Sequence, residues 1–106
     1  MLRLISFYKF VKIKNPVDNK LTFKKFLIDN KLKGSIIFSL EGINGSVSGK
    51  QSNIDLLIKF LKERFLFKEF DTINDCDVDF VPFQKAKVKI KNEVVPLNEL
   101  FNDDKY

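Results

Sequence analysis

Residues 35–50 read SIIFSLEGINGSVSGK and hold three of the chain's four glycines. The apolar run Ser35–Leu40 is short and bounded by glycines, which fits a buried strand better than a helix. Asn44-Gly45 is the strongest short signal for a hairpin turn, because a type I′ turn wants positive φ at both central residues. Ser46–Ser48 then gives a brief return strand, with Gly42 and Gly49 easing the chain at the two ends of the hairpin. The expectation is a pair of adjacent antiparallel strands turning at Asn44-Gly45. Two phosphate-gripping readings of the same glycines fail. A nucleotide P-loop needs four residues between its glycines and Ser or Thr after the lysine. Here Gly45 and Gly49 enclose three residues, and Gln51 follows Lys50. Gly42-Ile43-Asn44-Gly45 imitates the GXXG clamp of KH domains, but it follows a strand instead of joining two helices. Glu41, a carboxylate set between an apolar strand and a glycine, is left without a mechanical explanation.

The segments on either side complete a pattern. Downstream, Ile54, Leu57, Ile58, Leu61 and Phe65 stand at i, i+3, i+4, i+7 and i+11 and trace one face of a helix. Ser52 is placed as its N-cap, with Asp55 three residues on as in a capping box. Upstream, Val17–Leu32 places Phe23, Phe26 and Leu27 on one helical stripe, widened by Leu21 and Ile28. Asn15-Pro16 marks the start of that helix and Gly34 is positioned to end it. Leu2–Ile13, rich in β-branched and aromatic residues, reads as a long first strand. Past the second helix, KEFDTINDCDVDF (68–80) is a polar, acidic connector with no helical period. KAKVKIK (85–91) alternates strictly, with Ala86, Val88 and Ile90 on one side and four lysines on the other, so it is a half-buried strand. NEVVPLNEL continues it past a bend at Asn92 until Pro96 stops the ladder. The order is β-α-β-β-α-β, the ferredoxin-like α+β fold, with an antiparallel sheet and both helices on one face. One domain of residues 1–106 is expected, with an ordered core over about 2–97 and a tail over 98–106.

Composition narrows the function classes. The chain is 44% hydrophobic and 31% charged, as in a soluble globular protein, and its twelve phenylalanines supply bulky core material. No apolar run reaches membrane-spanning length and the N-terminus lacks a signal-peptide layout, so a cytoplasmic protein without membrane contact is expected. One cysteine cannot form an internal disulfide, in keeping with a reducing compartment. The net charge is +5, and all nineteen basic residues except Arg3 and Arg64 are lysine. That balance fits a polyanionic partner, although abundant Lys, Asn, Ile and Phe is also what an AT-rich genome encodes.

Chemistry-bearing constellations are sparse. There is no histidine, the commonest proton shuttle at neutral pH. Asp75, Asp77 and Asp79 alternate as the first ligands of a calcium loop do, but Phe80 and Ala86 stand where glycine and glutamate are required. Cys76 lies between two of these carboxylates, which raise a thiol pKa and oppose a nucleophilic role. No catalytic residue, metal ligand or cofactor set is assigned. Lys85, Lys87, Lys89 and Lys91 form a row of charge at roughly 6.6 Å intervals along one side of a strand. Such a row can follow nucleic-acid phosphates, or guard an edge strand against aggregation. No tight set of aromatics interleaves with those lysines, so base stacking is not expected.

FYKFV (7–11), LKGSIIFSLEGINGSVSG (32–49) and VPFQKAKVKIKNEVVPL (81–97) together resemble the N-terminal, acylphosphatase-like domain of the rhodanese-type tRNA uridine hydroxylases. The resemblance runs from about Ser6 to Leu97 and is most specific at EGINGSVSG, whereas the acidic connector at 69–80 departs from the family pattern. It implies an acylphosphatase-like version of the ferredoxin fold. It also implies a protein that uses molecular oxygen to hydroxylate C5 of the wobble uridine, position 34 of certain tRNAs. In the family a following rhodanese domain carries the essential cysteine. This chain ends at Tyr106, before such a domain begins, so an excised domain or a truncated product, catalytically silent alone, is expected. Cys76 matches no part of that cysteine loop. On this reading Lys12 and Lys14 near the first turn join Lys85, Lys87, Lys89 and Lys91 in holding tRNA. Glu41, Gly42, Asn44 and Gly45 form a hairpin facing the rhodanese domain or the substrate. The alternative is a non-catalytic module that only docks a protein partner. Acylphosphatase is a distant third, because that enzyme's phosphate loop holds glycine and arginine and KIKNPVDN here holds neither.

Overall fold

The computed structural model describes residues 1–91. Its elements run β1 (Leu2–Phe10), α1 (Pro16–Asp29), β2 (Lys33–Phe38), β3 (Gly42–Gly49), α2 (Gln51–Phe65), β4 (Thr72–Val78) and β5 (Ala86–Ile90). They build one five-stranded sheet in the order β4-β1-β3-β2-β5. The first four strands pair antiparallel and reproduce the ferredoxin-like arrangement, while β5 adds to the far edge parallel to β2. The sheet is therefore mixed, not wholly antiparallel as expected. The fourth ferredoxin strand is the acidic segment read as a connector, and the lysine-alternating strand is a fifth. The continuation through Asn92 to Pro96, the core beyond residue 91 and the tail over 98–106 lie outside the described residues.

Alternation along the strands decides which side is buried. Ile5 and Phe7 of β1, Ile36 and Phe38 of β2, Ile43 and Val47 of β3 and Val88 of β5 turn to one face. There they meet Phe23 and Leu27 of α1 and Ile54, Leu57 and Leu61 of α2, and all of these are buried. Phe26 of α1 stacks on Phe60 of α2, with ring centroids 4.6 Å apart, so the two helices lie side by side over that face. The expected stripe on α2 is the buried one. On α1 the stripe is narrower than its sequence implies, because Leu21 and Ile28 point to solvent.

The helix ends differ from expectation, and the reason is local. Lys31, not Gly34, takes the left-handed conformation after α1, at φ 56°. Leu32 N–H then donates to the Leu27 carbonyl and Lys31 N–H to that of Ile28, the hydrogen bonds of a Schellman motif. Gly34 is thereby released into β2. At the other helix, Lys50 occupies the N-cap position with no side-chain cap bond, so Ser52 does not cap it. Asp55 accepts from Gln51 instead. Leu66 closes α2 in the left-handed region at φ 56°, and its side chain is 89% exposed. A non-glycine residue pays about 1–2 kcal/mol for that conformation. Leu66→Gly is expected to raise stability by about 1 kcal/mol. An unchanged or lower urea midpoint would count against this account of the cap.

Candidate functional site

Residues that share a side of the sheet follow from the register. Ile5 faces Val47 and Phe7 faces Gly45 on the helix side, so Ser6 with Ser46 and Tyr8 with Asn44 lie on the opposite, open side. The hydroxyls of Ser6 and Ser46 are hydrogen-bonded at 2.9 Å. On β4, the same alternation sends Thr72, Asn74 and Cys76 to the open side. Asp75 and Asp77 go to the helix side, across from Ile5 and Arg3. Arg3 binds Asp77 at 2.8 Å and lies 3.5 Å from Asp75. The hydrogen bond to Asp77 and the charge of Asp75 hold this guanidinium above its ordinary pKa. Asp75 and Asp77 thus serve a strand and its arginine partner, while Asp79 follows the end of that strand. Among the described residues no group of three or more His, Cys, Asp and Glu is arranged to hold a metal ion.

Glycine 45 and its neighbours stand elsewhere than the turn chemistry suggests. Asn44 and Gly45 lie inside β3, paired with β1 on one side and β2 on the other. The hairpin closes earlier, with Leu40-Glu41 at its tip between Ser39 and Gly42. Ser39 Oγ accepts from Gly42 N–H at 3.1 Å and donates to the Gly42 carbonyl at 3.2 Å, fixing the turn without an Asn-Gly pair. Gly45 answers to packing. A Cβ there would stand 2.7 Å from the Ser35 carbonyl oxygen and 2.8 Å from the Phe7 ring. Glu41 occupies the exposed tip, and its backbone carbonyl accepts from Val11 as the chain leaves β1. Glu41 and Asn44 are therefore separated along the strand, at the tip and in the middle of the open side.

The lysines divide likewise. Lys87 and Lys89 are exposed on β5 and share the open side with Ser35 and Ile37 of β2. Lys85 and Lys91 flank that strand, and Lys91 N–H donates to the Phe38 carbonyl at the end of the sheet where the hairpin turns. Lys12 and Lys14 follow β1 at that same end. They line a depression of about 410 Å³ together with Asp18, Asn19 and Arg64. Arg64 Nε donates to Asn19 Oδ1 at 2.5 Å, and Asn19 Nδ2 donates to the Asn15 carbonyl. Lys85 stands at the opposite end of the sheet. Lys85, Lys87, Lys89 and Lys91 thus run along and just beyond β5, and Lys12 and Lys14 line a separate depression after β1.

Sequence reasoning overlooked a second depression, of about 600 Å³, on the open side. Tyr8 and Phe83 line it over Ser6, Asn44, Ser46 and Asn74. Tyr8 meets Phe10 edge-on, with centroids 4.6 Å apart. Its position was available from parity, since Ile5 and Phe7 belong inside and Tyr8 must then point out. Phe83 lies in an irregular crossing and no periodicity marks it.

The chain is similar to known proteins over almost its whole length. Residues 2–94 match the family described as the UPF0176 acylphosphatase like domain. A tRNA uridine(34) hydroxylase of Pelagibacter ubique (strain HTCC1062) is 40% identical over 97 residues, covering 92% of this chain and 32% of the relative. The protein of that name from Wolbachia pipientis subsp. Culex pipiens (strain wPip) is 36% identical over 94 residues, covering 89% and 33%. The chain thus spans about a third of the length of these relatives. Among solved structures, an acylphosphatase from Coxiella burnetii superposes with a TM-score of 0.57 at 14% identity, covering 85% of this chain and 93% of that one. Klebsiella pneumoniae BlrP1 with FMN and cyclic diGMP gives 0.69 at 8% identity, covering 97% and 29%. These structural likenesses establish the fold alone. Among the described residues no helix is long and apolar enough to cross a membrane.

Proposed function

The chain belongs to the UPF0176 acylphosphatase like domain family, and from that membership we propose that it is the N-terminal domain of a cytoplasmic, oxygen-dependent tRNA uridine(34) hydroxylase. One observation carries the reading: 40% identity, spread over 92% of this chain, with a protein named for that activity. The chemistry is assigned to a rhodanese-type domain outside these residues, which would form 5-hydroxyuridine at the wobble position. This domain's part is to help hold tRNA and to seat the catalytic domain. Lys87 and Lys89 on β5, flanked by Lys85 and Lys91, and Lys12 and Lys14 at the hairpin end offer cations for phosphates. Glu41 at the exposed tip offers a polar contact for docking.

A chimaera tests this reading. Residues 1–94 replace the N-terminal third of the Pelagibacter relative, and wobble-uridine hydroxylation is measured by nucleoside mass spectrometry. The chimaera is expected to retain hydroxylation, while the relative without its N-terminal third loses about a hundredfold, the scale of substrate misplacement. A chimaera that folds but leaves the wobble uridine unmodified, beside an active parent, overturns the assignment.

A further inference from the structure

We propose that the open face of the sheet binds single-stranded RNA, with bases stacked on Tyr8 and Phe83 and the phosphate backbone following Lys87 and Lys89. The inference rests on the tRNA reading above and names the surface and the state of the RNA that it takes. The aromatic pair comes first. Tyr8 stands on β1, held edge-on by Phe10. The crossing between β4 and β5 places Phe83 in the same depression. An aromatic ring on a sheet is a platform for any base, because every base has a π-face.

The surroundings fit bases and phosphates better than a protein surface. Ser6, Ser46, Asn44 and Asn74 supply neutral donors and acceptors suited to the edges of unpaired bases. Among the described residues no strand position on the open face carries a carboxylate. The two aspartates within β4 turn to the other side, where Arg3 binds them. Charge on the open face comes from Lys87 and Lys89 on β5, with Lys33 at the start of β2. From β1 to β5 is three strand spacings, about 14 Å. A sheet that stacks two or three bases has that span. A duplex hides its base faces, so this surface selects a loop or a frayed segment.

The test titrates the 106-residue chain with a uridine-containing single-stranded RNA of about eight nucleotides, within the site size of a small platform. Fluorescence anisotropy gives affinity and amide shifts give location. Binding is expected, with shifts at Tyr8, Asn44, Ser46 and Asn74, and the same sequence in a duplex binds more weakly. Phe83→Ala and Tyr8→Leu are each expected to weaken binding about tenfold. Phe83 lies in a connection, so its variant keeps the fold even if the β1 variant does not. Lys87→Ala and Lys89→Ala each flatten the log–log salt slope by about one. The proposal is overturned if the single strand does not bind at low salt, or if folded Phe83→Ala binds within twofold of the parent. It is also overturned if these residues shift only when the catalytic two-thirds of the relative is added, which makes the face a docking surface. An active chimaera whose Phe83→Ala form is equally active, with unchanged RNA affinity, removes this inference and leaves the domain assignment standing.

Discussion

Gly34→Ala is expected to destabilise the domain by about 3–5 kcal/mol, combining a strained backbone with an unrelieved overlap. Gly34 stands in β2 at φ 133°, a conformation that side chains rarely adopt. A Cβ built there lies 2.1 Å from the Ser46 carbonyl oxygen and 2.8 Å from the Val47 Cα. Both are backbone atoms of the neighbouring strand, so no rotamer change relieves the contact. On the other side, Gly34 N–H donates to the Lys85 carbonyl at 2.8 Å, and moving the strand away from β3 disturbs the pairing with β5. Gly49→Ala is the control. Its Cβ meets the terminal methyl of the buried Leu32 side chain at 2.4 Å, so the contact is with a rotatable group and not with backbone. A cost of about 1 kcal/mol is expected there. Small domains have about 5–15 kcal/mol in all, so Gly34→Ala should show a urea midpoint far below the parent's and the control's. Equal midpoints for the two variants would falsify the close approach of β2 to β3 as the reason for glycine.

Much of this architecture was legible because apolar periodicity survives wherever an element has one buried face. Ile54, Leu57 and Leu61 stand on α2 as their spacing requires, and Val88 is buried between exposed Lys87 and Lys89. β4 was illegible for the complementary reason. Thr72–Asp77 are all exposed at the sheet edge, so nothing in their hydropathy records the pairing with β1. The pairing itself organises them, and Arg3 ties down the two aspartates. Asn44-Gly45 misled because a local turn preference competes with a tertiary one. The small residue at 45 leaves room for the Phe7 ring, while three Ser39–Gly42 hydrogen bonds make the turn. Of the open face, the lysines followed from their period, and strand alternation held the position of Tyr8 without its being read. The absence of carboxylates from its described strand positions depended on recognising β4 as a strand, and Phe83 on where an irregular crossing runs.

Phe23→Ala is the second large effect, with an expected cost of about 3–5 kcal/mol. Phe23 is fully buried, and its ring lies 5.1 Å from Phe38, 4.8 Å from Phe60 and 5.9 Å from Phe65, centroid to centroid. One side chain on α1 therefore joins β2 and two turns of α2, and removing it opens a cavity between rings that are too rigid to collapse inward. Phe26 has Phe60 as its ring contact and is half-buried, so Phe26→Ala is expected to cost about 1–2 kcal/mol. The functional consequence separates the two sides of the sheet. Phe23 belongs to the helix side and Phe83 to the depression on the open side, with the strands between them. At a temperature where Phe23→Ala remains folded, its affinity for single-stranded RNA is expected to match the parent's, because distant sites contribute nearly additively. Phe83→Ala is expected to behave in the opposite way, with an unchanged unfolding midpoint and weakened binding. If Phe23→Ala weakens binding as much as Phe83→Ala while both remain folded, the open face does not bind independently of the core beneath it.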